Sequence, residues 1–263
     1  MKRLAVVTGA SSGIGAALAD AFAAEGMDVA LVARDTERLE AVAERCRSRH
    51  GVAASIFPCD LSDDVARAKL GVMLADLPVT VLANNAGFGV HGDFHETSVT
   101  DELRLVRLQV DAALVLCKAL VPGMRERREG RVMNVGSVYS FAPVPGQAVY
   151  AATKAFLRSF TESLSAELKG TGVTMTGVYP GVTQSEFRRR AGIASKKPNS
   201  GATAETVAKG AVTACLAGRL EYIPGGVANR IFVQVMRRLP GRLAAWFMTR
   251  INRARGLSAA QAE

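Results

Sequence analysis

Apolar and polar residues follow two textures along this chain, and the two take turns. Short apolar runs without alternation predict strands covered on both faces. Between them lie longer stretches with apolar positions three and four apart, which predict amphipathic helices. The first strand is LAVVT at 4–8, and the first helix runs to Gly26, a glycine suited to a left-handed helix stop. Strands follow at 28–34, 52–60, 79–87, 131–137 and 172–181, with a short last one inside 220–226. Helices are predicted from 36, where Asp35 is the N-cap, then at 61–77, 99–128, 148–168 and 203–217. The helix at 99–128 reads as one rod with Leu103, Val106, Val110, Leu114 and Cys117 inward. The helix at 148–168 turns Phe156, Leu157, Phe160 and Leu164 to the core. Strand and helix in strict alternation predict an α/β fold with a parallel sheet.

Two stretches depart from this rhythm. Residues 184–202 are charged and rich in glycine and serine, long for a loop in a compact domain, and are expected to form a mobile substrate lid. Residues 227–263 are apolar with regularly placed arginines, broken at Pro240 and Gly241. This extension reads as amphipathic. It is expected to cover the core or meet another subunit; weak contact with a membrane surface is the sharper alternative. No repeat or second domain is evident, so residues 1–263 are expected to form a single domain.

With 263 residues and 49% hydrophobic content, the chain can build one large core. Its net charge of +9 admits anionic partners, but no helix-turn-helix, RNP or zinc pattern points to nucleic acid. Excess arginine is better read as solvating helix faces and attracting an anionic cofactor. The cysteines at 46, 59, 117 and 215 are scattered, as reduced thiols of a cytoplasmic protein would be. No signal-like leader and no apolar stretch of roughly 18 residues is seen, so a cytoplasmic location is expected.

The first strand runs into TGASSGIG, where Gly9, Ser11, Ser12, Gly13, Ile14 and Gly15 form a turn before a helix. Strand, glycine turn and helix make a phosphate cradle: Gly9 permits the turn, Gly13 a close approach to pyrophosphate, and Gly15 close helix–strand packing. At the end of the second strand stand Ala33 and Arg34 rather than an acid. A guanidinium there suits a 2′-phosphate, so NADP(H) is the expected cofactor, with NAD(H) the alternative. Asp60, followed by Leu61, sits where an adenine amino group would be met. Asn84, Ala86 and Gly87 close the fourth strand where ligands bind in such sheets. His91 and His95 have helical metal spacing, but Gly92 and Asp93 argue for a loop and no third ligand appears, so no metal site is expected.

Residues 136–154 carry the reactive groups: a hydroxyl at Ser137, a phenol at Tyr150 and an amine at Lys154. Tyr150 and Lys154 stand at i and i+4, on one helix face. An ammonium beside a phenol favours the phenolate. A phenol so tuned can exchange a proton with a carbonyl or alcohol oxygen. No side chain supplies a hydride, so a cofactor must. Beyond the sixth strand, Pro180, Gly181, Val182 and Thr183 form a loop suited to gripping a nicotinamide. Phe88, His91, Tyr139 and Gln147 are among the residues expected to line a mainly apolar substrate pocket.

Taken together, TGxxxGIG at 8–15, NNAG at 84–87, Ser137, Tyr150-x-x-x-Lys154 and Pro180-Gly181 resemble the short-chain dehydrogenase/reductase family over nearly the whole chain. The resemblance extends loosely to a bacterial branch of broad oxidoreductases. It implies a single-domain Rossmann fold, with a doubly wound, seven-stranded parallel sheet and helices on both faces. It implies Tyr150 as acid/base, Ser137 orienting the substrate oxygen, and Lys154 serving both the nicotinamide ribose and Tyr150. It places Asp60 on adenine, Asn84 along the cofactor and Thr183 on the carboxamide. It further implies a ketone, aldehyde or alcohol substrate and a homodimer or homotetramer. The family carries an asparagine on its long helix for a proton relay; here Gln109 takes that place. Two rival readings remain. One is a 3-oxoacyl-thioester reductase, its basic lid (Arg188, Arg189, Arg190, Lys196, Lys197) meeting an acidic carrier. The other is a non-catalytic, NADP(H)-sensing protein.

Overall fold

The computed structural model describes residues 3–184 and 201–254. Seven parallel strands run in the order β3-β2-β1-β4-β5-β6-β9: β1 (Leu4–Thr8), β2 (Asp28–Ala33), β3 (Ala54–Pro58), β4 (Val79–Asn84), β5 (Gly130–Val135), β6 (Val173–Val178) and β9 (Glu221–Tyr222). The chain steps outward from β1 to β3 and then returns to the other side of β1. The crevice opens at this switch point, beyond the ends of β1 and β4. A separate pair, β7 (Thr183–Gln184) and β8 (Ala202–Thr203), brackets the segment 185–200. The greater part of the expected lid, with its basic residues, lies outside the described residues.

Helices cover both faces of the sheet. On one side lie α1 (Gly13–Ala24), α2 (Thr36–His50) and α7 (Ala204–Leu216), packing Leu18, Phe22, Leu39, Ala211 and Cys215 onto Val7 and Leu31. On the other lie α3 (Asp64–Ala75), α5 (Ala112–Glu126) and α6 (Ala148–Glu167), with Leu74, Leu116 and Leu120 against Val6, Leu82 and Val132. β1 is buried to its last residue, as its unbroken apolar run requires. Asp35 caps α2 as expected, its carboxylate accepting from Arg38 N at 3.0 Å. Gly26 adopts φ +72° past the end of α1.

The rod expected at 99–128 is not continuous. α4 (Val99–Val106) passes through a π turn, Arg107–Asp111, before α5 begins. The wider turn shifts the phase of the helix face, so that Leu105, Gln109, Ala113 and Leu116 point inward. Leu103 and Leu114, expected in the core, are exposed instead, and so is Phe156 on α6, which stacks on Phe160 at 5.6 Å.

The tail forms α8 (Gly226–Met236) and α9 (Gly241–Ala254). Their inner faces pack Val233, Met236, Ala244 and Met248 onto Val138, Phe141 and Tyr179, making a third apolar cluster above the carboxyl ends of the strands.

Candidate active site

The floor of the crevice is two loops locked together. Thr8 Oγ1 accepts from Asn85 N at 2.9 Å and Ala86 N at 3.0 Å, and Asn85 Nδ2 donates to Thr8 O at 2.9 Å. The fit leaves no room for side chains: a Cβ on Gly9 would stand 2.9 Å from Ala86 Cα, and one on Gly15 would stand 2.1 Å from Gly9 O. Ser12 sits at the N-cap of α1 without a side-chain bond to the helix, and no acid occupies the first turn. The amide end of α1 is therefore chemically suited to an anion. These features fit a pyrophosphate group.

One end of the crevice is densely charged. Arg34, Arg38 and Arg104 line it together with Asp35, Asp60 and Asp101. Asp60 Oδ2 lies 3.7 Å from Arg34 Nη1 and 3.5 Å from Arg104 Nη2, and its Oδ1 accepts from Ser62 Oγ at 2.6 Å. Burial would raise this carboxyl, but the bonds from Ser62 and the two guanidiniums outweigh it and hold it below its usual range. Arg38 Nε lies 3.3 Å from Asp35 Oδ2, so the guanidiniums here are matched in number by carboxylates; their forked N–H groups are the feature that fits a phosphate on the adenosine ribose.

The other end holds the hydroxyl, phenol and amine. Ser137 ends the β5 connection and caps a 3₁₀ turn, Val138–Phe141; its Oγ accepts from Tyr139 N at 3.2 Å, while Ser140 Oγ accepts from Ser137 N at 3.2 Å. This reciprocal cap fixes the serine. Its hydroxyl is near enough to the Tyr150 phenol to act against the effect of burial on that group. Tyr139 meets the Tyr150 ring edge-on at 6.4 Å. Lys154 Nζ lies 5.6 Å from the Tyr150 ring centre and donates to Val135 O at 2.8 Å. Burial pushes the Lys154 amine down to about 7. The expected lowering of the phenol does not hold in this protein without a ligand: burial pushes Tyr150 up, against the smaller effect of Ser137. In a dry site both ionised forms are disfavoured together.

Two expected residues lie behind the crevice wall. Asn84 does not face the cavity; its Nδ2 donates to Asn134 Oδ1 at 2.9 Å, and Asn134 Nδ2 continues to Thr161 Oγ1 at 2.9 Å. Neighbouring residues of an extended chain point to opposite sides, so Asn85 takes the crevice side instead. Gln109, only 2% exposed, donates from Nε2 to Phe88 O at 2.8 Å, while its Oε1 is buried without a partner. It props the loop that follows β4.

All the other expected residues border one cleft of about 1820 Å³: Gly9, Ser11, Ser12, Gly13, Ile14, Gly15, Arg34, Asp60, Leu61, Ala86, Gly87, Ser137, Tyr150, Lys154, Pro180, Gly181, Val182 and Thr183. His91 joins them from a loop and pairs with Gln147 at 3.3 Å, while His95 is exposed. Sequence reasoning missed Arg38 and Arg104, and it missed the roof: Ala228, Asn229, Phe232, Met248 and Ile251 from α8 and α9. The apolar spacing of the tail was the available signal for the roof.

Comparison with known proteins points the same way. A family model described as short chain dehydrogenase matches residues 3–196. A short-chain dehydrogenase from Sphingobium yanoikuyae, solved in complex with NADPH, superposes with TM-score 0.82 at 32% identity, covering 99% of this chain and 98% of that one. A bulky-bulky ketone specific alcohol dehydrogenase from Comamonas testosteroni superposes with TM-score 0.77 at 30% identity over 90% and 95% of the two chains. In sequence, a short chain dehydrogenase of Pseudocercospora fijiensis is 37% identical over 189 residues, 70% of this chain and 61% of that protein. The matched region spans 58% to 63% of the length of the first three curated relatives.

Proposed function

Since the chain belongs to the short-chain dehydrogenase family, we propose that it is an oxidoreductase that interconverts a carbonyl compound and its alcohol with NADP(H). One observation carries this reading: Ser137 and Tyr150, with Lys154 beside them, open onto the same cleft as the glycine loop and the arginines.

The cofactor's pyrophosphate suits the amide end of α1 and Gly13; its adenosine 2′-phosphate suits Arg34 and Arg38; Thr183 and the Pro180–Gly181 turn suit its nicotinamide. When bound, the nicotinamide supplies or accepts the hydride. The protein does the rest. Tyr150 gives a proton to the substrate oxygen in reduction and takes one in oxidation. Ser137 donates a second hydrogen bond to that oxygen as negative charge grows on it. Lys154, with its amine near 7, sits between its charged and neutral forms at physiological pH and so can carry the proton that Tyr150 exchanges. The walls exclude water with Phe88, Val90, Tyr139, Phe232, Met248 and Ile251, an apolar set that suits a medium or large hydrophobic ketone, aldehyde or alcohol. The bulky ketone named for the Comamonas relative is of that class. Exposed Leu103, Leu114 and Phe156 on α4, α5 and α6 offer an apolar face for a second copy, consistent with a homodimer or homotetramer.

The test is NADPH oxidation measured over a panel of ketones, aldehydes and acyl thioesters. Turnover of hydrophobic ketones or aldehydes is expected. Thioesters turned over faster than every simple carbonyl would replace this substrate class with the acyl reading. Tight NADPH binding without turnover of any carbonyl would replace it with the sensing one.

A further inference from the structure

The helices that roof the cleft have a second face that the redox chemistry does not use. Along α8, Val227, Ile231 and Val235 recur every four residues and are exposed, Ile231 at 58%. On α9, Leu243, Trp246 and Phe247 are exposed, Trp246 at 57%. Burial normally claims such residues. A run of them on two consecutive helices marks a surface that meets something.

Charge indicates what that is. From residue 222 to residue 262 the chain has seven arginines and no lysine, aspartate or glutamate. Arg237 is engaged inward, paired with Glu221 and stacked on Phe141. Arg230, Arg238, Arg242 and Arg250 are exposed, and none pairs with a carboxylate among the described residues. Arg250 lies over the Trp246 ring at 5.0 Å. A second copy of the chain, docking through this face about a twofold axis, would set like charges against each other. The segment 185–200 is no better a cover, with five basic residues and one acid. Exposed aliphatic residues and a tryptophan among unpaired arginines match one partner chemistry: the interface of an anionic lipid bilayer.

We propose that α8 and α9 form an interfacial docking face for anionic membranes, with Trp246 entering the headgroup layer and Arg230, Arg238, Arg242 and Arg250 meeting the lipid charges. The same helices wall the cleft on their inner side through Phe232, Met248 and Ile251. An enzyme held this way takes hydrophobic substrates from the lipid surface, where they concentrate. The docking face stands independently of the redox reading.

Trp246 is the chain's single tryptophan, so its emission reports on this face alone. The full-length protein is mixed at physiological salt with vesicles of phosphatidylcholine, and with vesicles of phosphatidylcholine and phosphatidylserine. A blue shift of Trp246 emission and co-sedimentation are expected with the second and not the first, and both should fade as salt rises. Arg242→Gln and Arg250→Gln should each weaken vesicle affinity about fivefold. Leu243→Gln should reduce the blue shift while turnover of a water-soluble carbonyl stays unchanged. Failure to sediment with anionic vesicles overturns the proposal. Equal binding to neutral vesicles overturns the role of the arginines. A blue shift that grows with protein concentration in the absence of vesicles assigns the face to a second copy instead.

Discussion

The two ends of the cleft are built on opposite plans. One end is made of strand ends and the loops after them, held by backbone and by Thr8 and Asn85, and it is lined by Arg34, Arg38 and Arg104; in the proposed function it meets the adenosine by charge. The other end is made of a 3₁₀ turn and two late helices that pack by apolar side chains, and it is lined by Tyr139, Phe232, Met248 and Ile251; in the proposed function it meets the substrate by shape. Charge recognition tolerates little change in the ligand and needs only a few residues. Shape recognition is spread over many residues, each weak, and can be altered without disturbing the floor. Under the proposed function, such a division would let a chain keep one cofactor while its substrate varies.

Four changes test the division. The largest effect is expected between the two ends: Tyr150→Phe removes the proton donor and should lower kcat roughly 1,000-fold, with NADPH affinity by fluorescence titration unchanged. Next, Arg34→Ala with Arg38→Ala should raise KM for NADPH about 10- to 100-fold through lost charge-assisted bonds and leave KM for NADH nearly untouched. A parallel loss with NADH would mean that the guanidiniums do not read the 2′-phosphate. A smaller effect is expected at the roof. Phe232→Ala should shift kcat/KM between small and bulky ketones by about 10-fold while KM for NADPH holds; a matching rise in KM for NADPH would erase the contrast between the ends.

The last effect is thermodynamic and concerns the ligand-free protein. The folded Lys154 amine stands near 7, below its ordinary 10.5. Between those values the unfolded chain binds a proton that the folded chain does not, so stability rises with pH across that window. The contribution is fully present above the upper value and is lost as pH falls to the lower one. Lys154→Met should flatten the rise in Tm between those limits. An equal rise in the variant would assign the slope to other groups.

What was legible in the sequence follows the same split. The glycine turn, Ser137 and the pair Tyr150 and Lys154 are local patterns whose meaning depends on a few neighbouring residues, and each faces the cleft as expected. The parallel sheet follows from the alternation of buried strands and amphipathic helices, and its doubly wound form from the family resemblance. The misreadings at the site are non-local. Asn84 was placed on the cofactor because its own motif said nothing of Asn134, a partner 50 residues away. Arg104 comes to Asp60 from a helix 44 positions later, a proximity that only the fold creates. The roof escaped notice because its residues are ordinary apolar helix positions until α8 and α9 fold back over the strands. The phenol was expected to be acidic from its neighbour's charge, yet the neighbour is itself desolvated, and burial is a property of the whole fold.

The wide turn at Arg107–Asp111 sets a limit on how this chain can change. A π turn adds one residue to a helix that would otherwise run straight, and each residue carries about 100° of rotation. The extra residue is taken up inside the turn, so Leu116, Leu120 and Met124 keep their places on the sheet. Deleting one position within the turn would restore a plain helix and leave them there. Deleting one inside α5 would have no such slack and would rotate every residue beyond it by about 100°. The turn is thus the one place in this long helix where the chain can lose a residue without moving the lower layer of the fold.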